Sequence, residues 1–367
     1  MKTPLALLLL LVSMNSFSQG LPPWKSPLRM AWSTNGTNFS TSAIFQDSSG
    51  VPCIVRWKAD TLVCVFQWFR QPMNSPTWDR VAVKFSYNLG QSWTTPFPII
   101  VNGLPANYQR PFDPALAVIS SDSLRIYYSS SDGQPIGGLN EIVNTYSAVS
   151  TDGIHYNFEP GPRFDHPTKP VIDPSVIYFN GNWHYLAPAG APQDGAYHCI
   201  STNGISMLQQ ANYSSDNTHN WTGNFMLENA AQLRFYGSGQ FIWYNSSADG
   251  FTWQGYVGTN LQGGDPAVIK LGPNNYLAIF VGQPYLDTVP AVNNLSDLKI
   301  YPNPFRKKLF EKNATGNEEY TLLNSTGQVV WSGKKIGQQD FSALAGTVYF
   351  LKVRSQNDAR VFKLFRY

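Results

Sequence analysis

The sequence predicts an all-β protein, a five-bladed β-propeller followed by a small C-terminal β-sandwich. Three observations carry that expectation. A Ser-x-Asx-Gly turn recurs five times, a Pro-containing strand pair recurs five times between those turns, and a new run of short strands begins near Leu298 after a stretch without strand pattern. Radial repetition of small antiparallel sheets is how a propeller reads in sequence. No stretch holds a sustained helical period, which excludes a helical solenoid. Composition agrees: charged residues are 13% and aromatics 14% of the 367, with 29 Gly and 26 Pro. That balance suits a loop-rich β protein and not a nucleic-acid binder.

The turns are Ser33-Thr34-Asn35-Gly36 with Phe39, Ser86-Tyr87-Asn88-Leu89-Gly90 with Trp93, Ser150-Thr151-Asp152-Gly153 with Tyr156, Ser201-Thr202-Asn203-Gly204 with Met207, and Ser247-Ala248-Asp249-Gly250 with Trp253. The second copy has one extra residue. Each is a clamp: the Asp or Asn side chain folds back onto backbone amides, Gly takes the positive φ, and the large residue packs inward. The motif resembles the Asp-box of sialidase-like propellers and the Ser-x-Asp-Gly turn of the arabinanase and β-xylosidase group of glycoside hydrolases. In both groups it lies away from the catalytic centre, so the resemblance implies a structural role.

The strand pairs follow. Three start on Asp-Pro: Asp113-Pro114, Asp173-Pro174 and Asp265-Pro266. Two are weaker, residues 51–55 before 62–66 and residues 228–233 before 240–244. The last unit has no clamp after it, so residues 28–32 are expected to supply its missing outer strand and close the ring.

The ends define the remaining segments. Residues 1–18 read as a signal peptide, with Lys2, an apolar run over 4–12, and small residues at Ser16 and Ser18. The apolar run is too short to cross a bilayer, and no transmembrane segment is expected. The propeller is assigned to 19–282, a linker to 283–297 where Pro, Asn, Asp and Ser gather, and the C-terminal domain to 298–367. Residues 297–367 hold 12 Lys/Arg against 6 Asp/Glu, leaving 14 against 17 upstream, so the tail carries the whole net charge of +3. Cys53 and Cys64 face one another across a hairpin at best and Cys199 is left over; three buried free thiols are expected.

In the last domain, Tyr301-Pro302-Asn303-Pro304 resembles the opening of type A sorting domains of type IX secretion. Residues 323–330 are similar to their central strand-turn-strand, with Gly327 at the turn, and residues 344–353 match their signature segment. The resemblance implies outer-membrane translocation by the type IX machinery and a secreted or surface-attached product.

Chemistry is expected where inner strands begin, because those starts converge on one mouth of the channel. They bear Asp113, Asp173, Glu228 and Asp265. Paired carboxylates are what glycoside hydrolysis needs, one protonated to assist the leaving oxygen and one ionised to activate water or attack the sugar. The resemblance to the arabinanase group implies that Asp173 tunes the acid and that Glu228 is the acid. The blade that holds the base in that group reads Gly50-Val51-Pro52 here, which leaves Asp113 as the candidate base. Arg110 and Asp265 are taken as substrate-binding, with Arg163 a further pocket candidate. Trp57, Trp68, Trp183 and Trp243 are either sugar-stacking platforms or core. Sialidase chemistry fits poorly, since the body lacks a set of pocket arginines. His166, His184 and His198 lack metal-ligand spacing, and no cofactor is expected; the Asp-rich channels of such propellers sometimes hold a Ca²⁺ or Na⁺, and nothing in the sequence supports one here.

The expected function is a secreted carbohydrate-active propeller, a glycoside hydrolase on plant or algal glycans with a carbohydrate as its ligand. The alternative is a non-catalytic propeller that binds glycan or protein at the cell surface.

Overall fold

Four of the five apolar strand pairs become the inner half of a blade. The computed structural model describes residues 25–70, 72–73, 75–133, 142–282, 298–314, 318–354 and 359–367; the expected leader and linker lie outside them. The described chain forms two units, one on either side of residues 284 and 285. It enters through β1 (Leu28–Ser33) and β2 (Ala43–Gln46), which belong to the last blade. Blade 1 is β3 (Ser49–Trp57), β4 (Thr61–Trp68), β5 (Arg80–Ser86) and β6 (Phe97–Pro98). Blade 2 adds β7 (Ile100–Asn102), parallel on the outside, to β8 (Phe112–Ser120), β9 (Ser123–Ser131), β10 (Val143–Ser150) and β11 (His155–Phe164). Blade 3 is β12 (Ser175–Phe179), β13 (Asn182–Pro188), β14 (Ala196–Ser201) and β15 (Leu208–Gln209). Blade 4 is β16 (Asn220–Asn229), β17 (Gln232–Ser238), β18 (Trp243–Ser247) and β19 (Val257–Gly258).

Blade 5 pairs β20 (Gly264–Gly272) and β21 (Asn275–Val281) with β1 and β2. The first strands of the chain thus complete the last blade. They do so with two strands: β1 is third from the axis and β2 is outermost, where the sequence reading placed residues 28–32 as the outer strand. The inner strands β3, β8, β12, β16 and β20 each touch the inner strands on both sides, so the ring is closed.

Middle strands are apolar on both faces because each packs against two blades. β4 reads Thr-Leu-Val-Cys-Val-Phe-Gln-Trp with Leu62 to Phe66 fully buried. Every blade interface is filled in this way, as with Val65, Val83, Leu116 and Ile126 between blades 1 and 2, or Trp221, Phe235 and Leu186 between blades 3 and 4. Trp57 and Trp243 are buried core, whereas Trp68 and Trp183 are only partly buried. Cys53, Cys64 and Cys199 are free and buried.

The clamps form as the residues dictate. In blade 3 the Gly204 amide donates to Ser201 Oγ at 3.0 Å, and the amides of Ile205 and Ser206 both donate to Asn203 Oδ1 at 2.9 Å. Each clamp also docks on the preceding blade. The Tyr127 hydroxyl donates to the Gly204 carbonyl at 2.7 Å, and the Tyr236 hydroxyl to that of Gly36 at 2.9 Å. Gly153 lies against Phe85, Gly250 against His184, and Gly90 against Leu277 and Trp32. Five clamps therefore serve five blade interfaces.

One strand pair differs from the sequence reading. Residues 228–233 are the β16–β17 hairpin, not an inner strand, because β16 starts eight residues before Glu228 and carries no Asp-Pro mark.

The C-terminal unit has its own core, with Leu298, Phe305, Tyr320, Leu322, Tyr349, Leu351 and Leu364 buried together. Its short pair β22 (Lys299–Tyr301) and β23 (Phe310–Lys312) stands beside a four-stranded sheet. That sheet runs β25 (Val329–Gly333), β24 (Glu319–Leu323), β26 (Val348–Arg354) and β27 (Ala359–Phe365). Gly327 takes φ 84° in the turn before β25.

Candidate active site

A β-bulge re-aims a side chain by adding one residue to one strand. The inner strands use this device near their starts: register shifts fall between Gly50 and Cys53, Phe112 and Ala115, Asn220 and Gly223, and Gly264 and Ala267. Val51 at 46°, Asp113 at 48° and Asp265 at 45° lie within three of these shifts and have positive φ, and Asp173, just ahead of β12 where no shift occurs, matches them at 53°. Gly223 is their counterpart in blade 4. Three of the four bearing side chains are aspartates, a residue that tolerates this region, and a Pro follows each.

Val51, Asp173, Gly223 and Asp265 line one pit with Asn224, and the pit holds about 10 Å³, the room of a single water molecule. Asp113 joins them, its carboxyl facing the backbone amide of Asp173 and feeling the charge of Asp265. The three carboxyls are half-buried at the mouth. Burial is the main force on each and disfavours the ionised form. It pushes Asp265 up to about 6. Burial and the Asp265 charge push Asp113 up to about 7. Burial, with the charges of Asp113 and Asp265, raises Asp173 well above its ordinary value. Like charges this close do not all ionise near neutrality, so the ring holds protons there.

The structure brings together Asp113, Asp173 and Asp265 but not Glu228. Glu228 stands five residues past Gly223, about 16 Å along an extended strand. The same five-residue step leads from Val51 to Arg56, from Asp113 to Val118, from Asp173 to Tyr178 and from Asp265 to Lys270, so Glu228 belongs to the other end of the channel. There Lys270 Nζ lies 2.5 Å from its Oε1, the Tyr276 hydroxyl donates to Oε1 at 2.8 Å, and Arg234 Nε is 3.2 Å from Oε2. Burial opposes ionisation, but these partners outweigh it and hold the carboxyl below its ordinary range. A general acid needs the opposite shift. The placement of Glu228 in the carboxylate ring is thereby corrected.

Arg110 is not free at the mouth. Its Nε donates to the Asp79 carbonyl at 2.7 Å and its Nη2 pairs with Asp79 Oδ2. Asp79, on the loop between β4 and β5, also accepts from the buried Gln67 amide. Its charge acts on Asp113, so blade 1 contributes a carboxylate from a loop where Val51 supplies none. The sequence reading missed Asp79; its only signal was proximity to a strand start. Arg163 is buried and donates to the carbonyls of Pro160 and Gly161 at 2.6 Å, which removes it from any pocket.

The histidines are less scattered than their spacing suggests. His184 and His198 are buried and stacked, His184 Nδ1 lying 3.1 Å from His198 Nε2, and burial lowers both, His198 to about 3. Among the described residues no group of three or more His, Cys, Asp or Glu is arranged to hold a metal ion.

The fold and site define a five-bladed propeller with an acidic channel mouth, carried on a chain with a separate C-terminal β domain. Residues 299–365 match the family described as the secretion system C-terminal sorting domain. The C-terminal unit is a type IX sorting domain, and it implies export to the cell surface or beyond. No curated protein matches the chain in sequence. Among solved structures, the chain is similar to the GH32 β-fructofuranosidase of Bombyx mori at 11% identity and TM-score 0.49, covering 95% of this chain and 90% of that one. It is also similar to a GH43_1 enzyme from Xanthomonas citri at 13% identity and TM-score 0.45, covering 63% and 81%. A protein of unknown function from Dyadobacter fermentans gives 13% identity and TM-score 0.44, covering 87% and 95%. The blade assignment rests on this chain's own strand pairing. Among the described residues no helix is long and apolar enough to cross a membrane.

Proposed function

We propose that the exported propeller is a glycoside hydrolase acting on plant or algal glycans at the acidic mouth. The observation that carries this reading is the ring of Asp113, Asp173 and Asp265, three carboxyls from three blades whose raised pKa values divide them into protonated and ionised members near neutral pH. Asp113, half protonated at about 7, is the acid that protonates the leaving oxygen; Asp265, ionised above about 6, is the base that activates a water in the pit. The charge of ionised Asp265, with burial, keeps Asp113 protonated. Arg110 acts as a positioning residue for Asp79, and the sugar sits over the mouth.

The test is a screen of chromogenic glycosides and arabinan or xylan fragments with the full-length chain. Asp113→Asn and Asp265→Asn are each expected to lower kcat about 100-fold or more, while Glu228→Gln keeps activity. An active Asp113→Asn with a dead Glu228→Gln would overturn the assignment. Activity is expected to be bell-shaped in pH, lost below about 6 as Asp265 protonates and above about 7 as Asp113 ionises.

A second reading, a non-catalytic glycan-binding propeller, draws support from Val51 and the water-sized pit. It predicts glycan binding that survives both Asp→Asn changes with no turnover on any substrate.

A further inference from the structure

Below the acidic pit the inner strands enclose a second space, a cavity of about 410 Å³. Asn224 separates the two: it lines both, and its Nδ2 donates to the carbonyls of Pro52 at 2.9 Å and Pro266 at 3.4 Å. The cavity wall beneath it is apolar, built from side chains such as Leu116, Val176, Phe225 and Val268. Among the described residues, Arg56 and Lys270 are the only charged ones in that wall, both at the end away from the pit. Arg56 is 43% exposed there and Leu227 is 43% exposed, and Tyr178 packs on Trp183 with ring centroids 5.3 Å apart.

This channel is lined mostly by apolar side chains, with the edge backbone of the five inner strands between them. Its volume falls in the range that encloses small ligands, about 300 to 1,000 Å³. The two cations are paired, Arg56 with Asp60 at 2.8 Å and Lys270 with Glu228 at 2.5 Å. Both retain further N–H groups, and Arg234 beside Glu228 leaves this end with one positive charge in excess. The pattern is an apolar sleeve closed by an amide at one end and rimmed by cations at the other.

We propose that the lower channel is a binding site for a small amphiphile, its apolar body inserted between the blades and a single anionic head held at Arg56 and Lys270. The site is separate from the carboxylate ring and holds whether or not that ring is catalytic. The ring at the upper mouth repels an anion, so entry is from the lower end.

The probe is 1-anilinonaphthalene-8-sulfonate, titrated by fluorescence into the full-length chain, with N-phenyl-1-naphthylamine as its uncharged counterpart. One saturable site is expected, with a Kd on the order of 10 μM. Val176→Trp fills the sleeve and is expected to abolish binding. Leu227→Asp, at an exposed rim position that leaves the core intact, is expected to weaken the sulfonate about fivefold or more and the uncharged dye far less. Arg56→Gln is expected to act in the same direction. Absence of saturable binding, stoichiometry well above one, or an affinity unchanged in both Val176→Trp and Leu227→Asp overturns the site. Equal affinity for the two dyes overturns the anionic head.

Discussion

Val51 holds φ at 46° although its side chain is β-branched, and a left-handed backbone costs such a residue roughly 1–2 kcal/mol. The same backbone recurs at Asp113, Asp173 and Asp265, so the residue at this position must fit the geometry. Asn tolerates the region, and Val51→Asn is expected to stabilise the propeller by about 1 kcal/mol in urea unfolding; a loss of stability would show that the side chain's packing outweighs the backbone strain. Asp113 makes the complementary case. Its folded pKa of about 7 stands above the ordinary 3.8, so the fold favours its protonated form. That contribution is fully present below pH 4 and is lost as pH rises through about 7. Asp113→Asn keeps a neutral side chain throughout and is expected to gain roughly 1–3 kcal/mol at pH 8 and nothing at pH 4. Equal effects at both pH values would mean that burial does not govern this carboxyl.

At the scale of elements, the clamp was legible because its bonds are local. Ser, Asx and Gly lie within four residues and satisfy one another, so their spacing alone specifies the turn. What the spacing does not contain is the neighbour on which the turn docks. Gly204 sits at φ 71°, and a Cβ added there would lie 2.8 Å from both Arg125 Nη1 and the Tyr127 hydroxyl of the preceding blade. Gly204→Ala is therefore expected to cost roughly 2–3 kcal/mol, more than the turn strain alone. The Tyr127→Phe background, which removes one of the two crowding atoms, should reduce that cost in a double-mutant cycle. Strand pairs opening on Asp-Pro were equally legible. The fourth blade was not, because Gly223 stands where three of the others have Asp and the hairpin at 229–232 reads like a strand start.

For the whole molecule, ring closure depends on the two ends of the propeller meeting. β1 pairs with β21 from Leu28 to Ser33, and β2 covers it. Deleting residues 25–46 would uncover β21, whose Leu277 and Ile279 are fully buried. Loss of the cooperative thermal transition is expected, followed by rapid proteolysis. Ending the chain at residue 282 instead removes a unit with its own core and is expected to leave the propeller's transition where it was. A shifted transition would indicate that the propeller draws stability from beyond its own ring.

The sequence by itself determined the number of blades, the clamps, the three Asp-Pro starts and the sorting domain, since each is written in residues close together along the chain. Only the tertiary structure decided which carboxyls meet. Asp113, Asp173 and Asp265 share one mouth because each stands with positive φ at the start of its inner strand, while Glu228, at the other end of β16, closes the far end with Lys270. Each inner strand pairs only with the next strand of its own hairpin, but which strand starts meet is set by packing between blades, as between β20 and β3, and that is not a property of any local stretch.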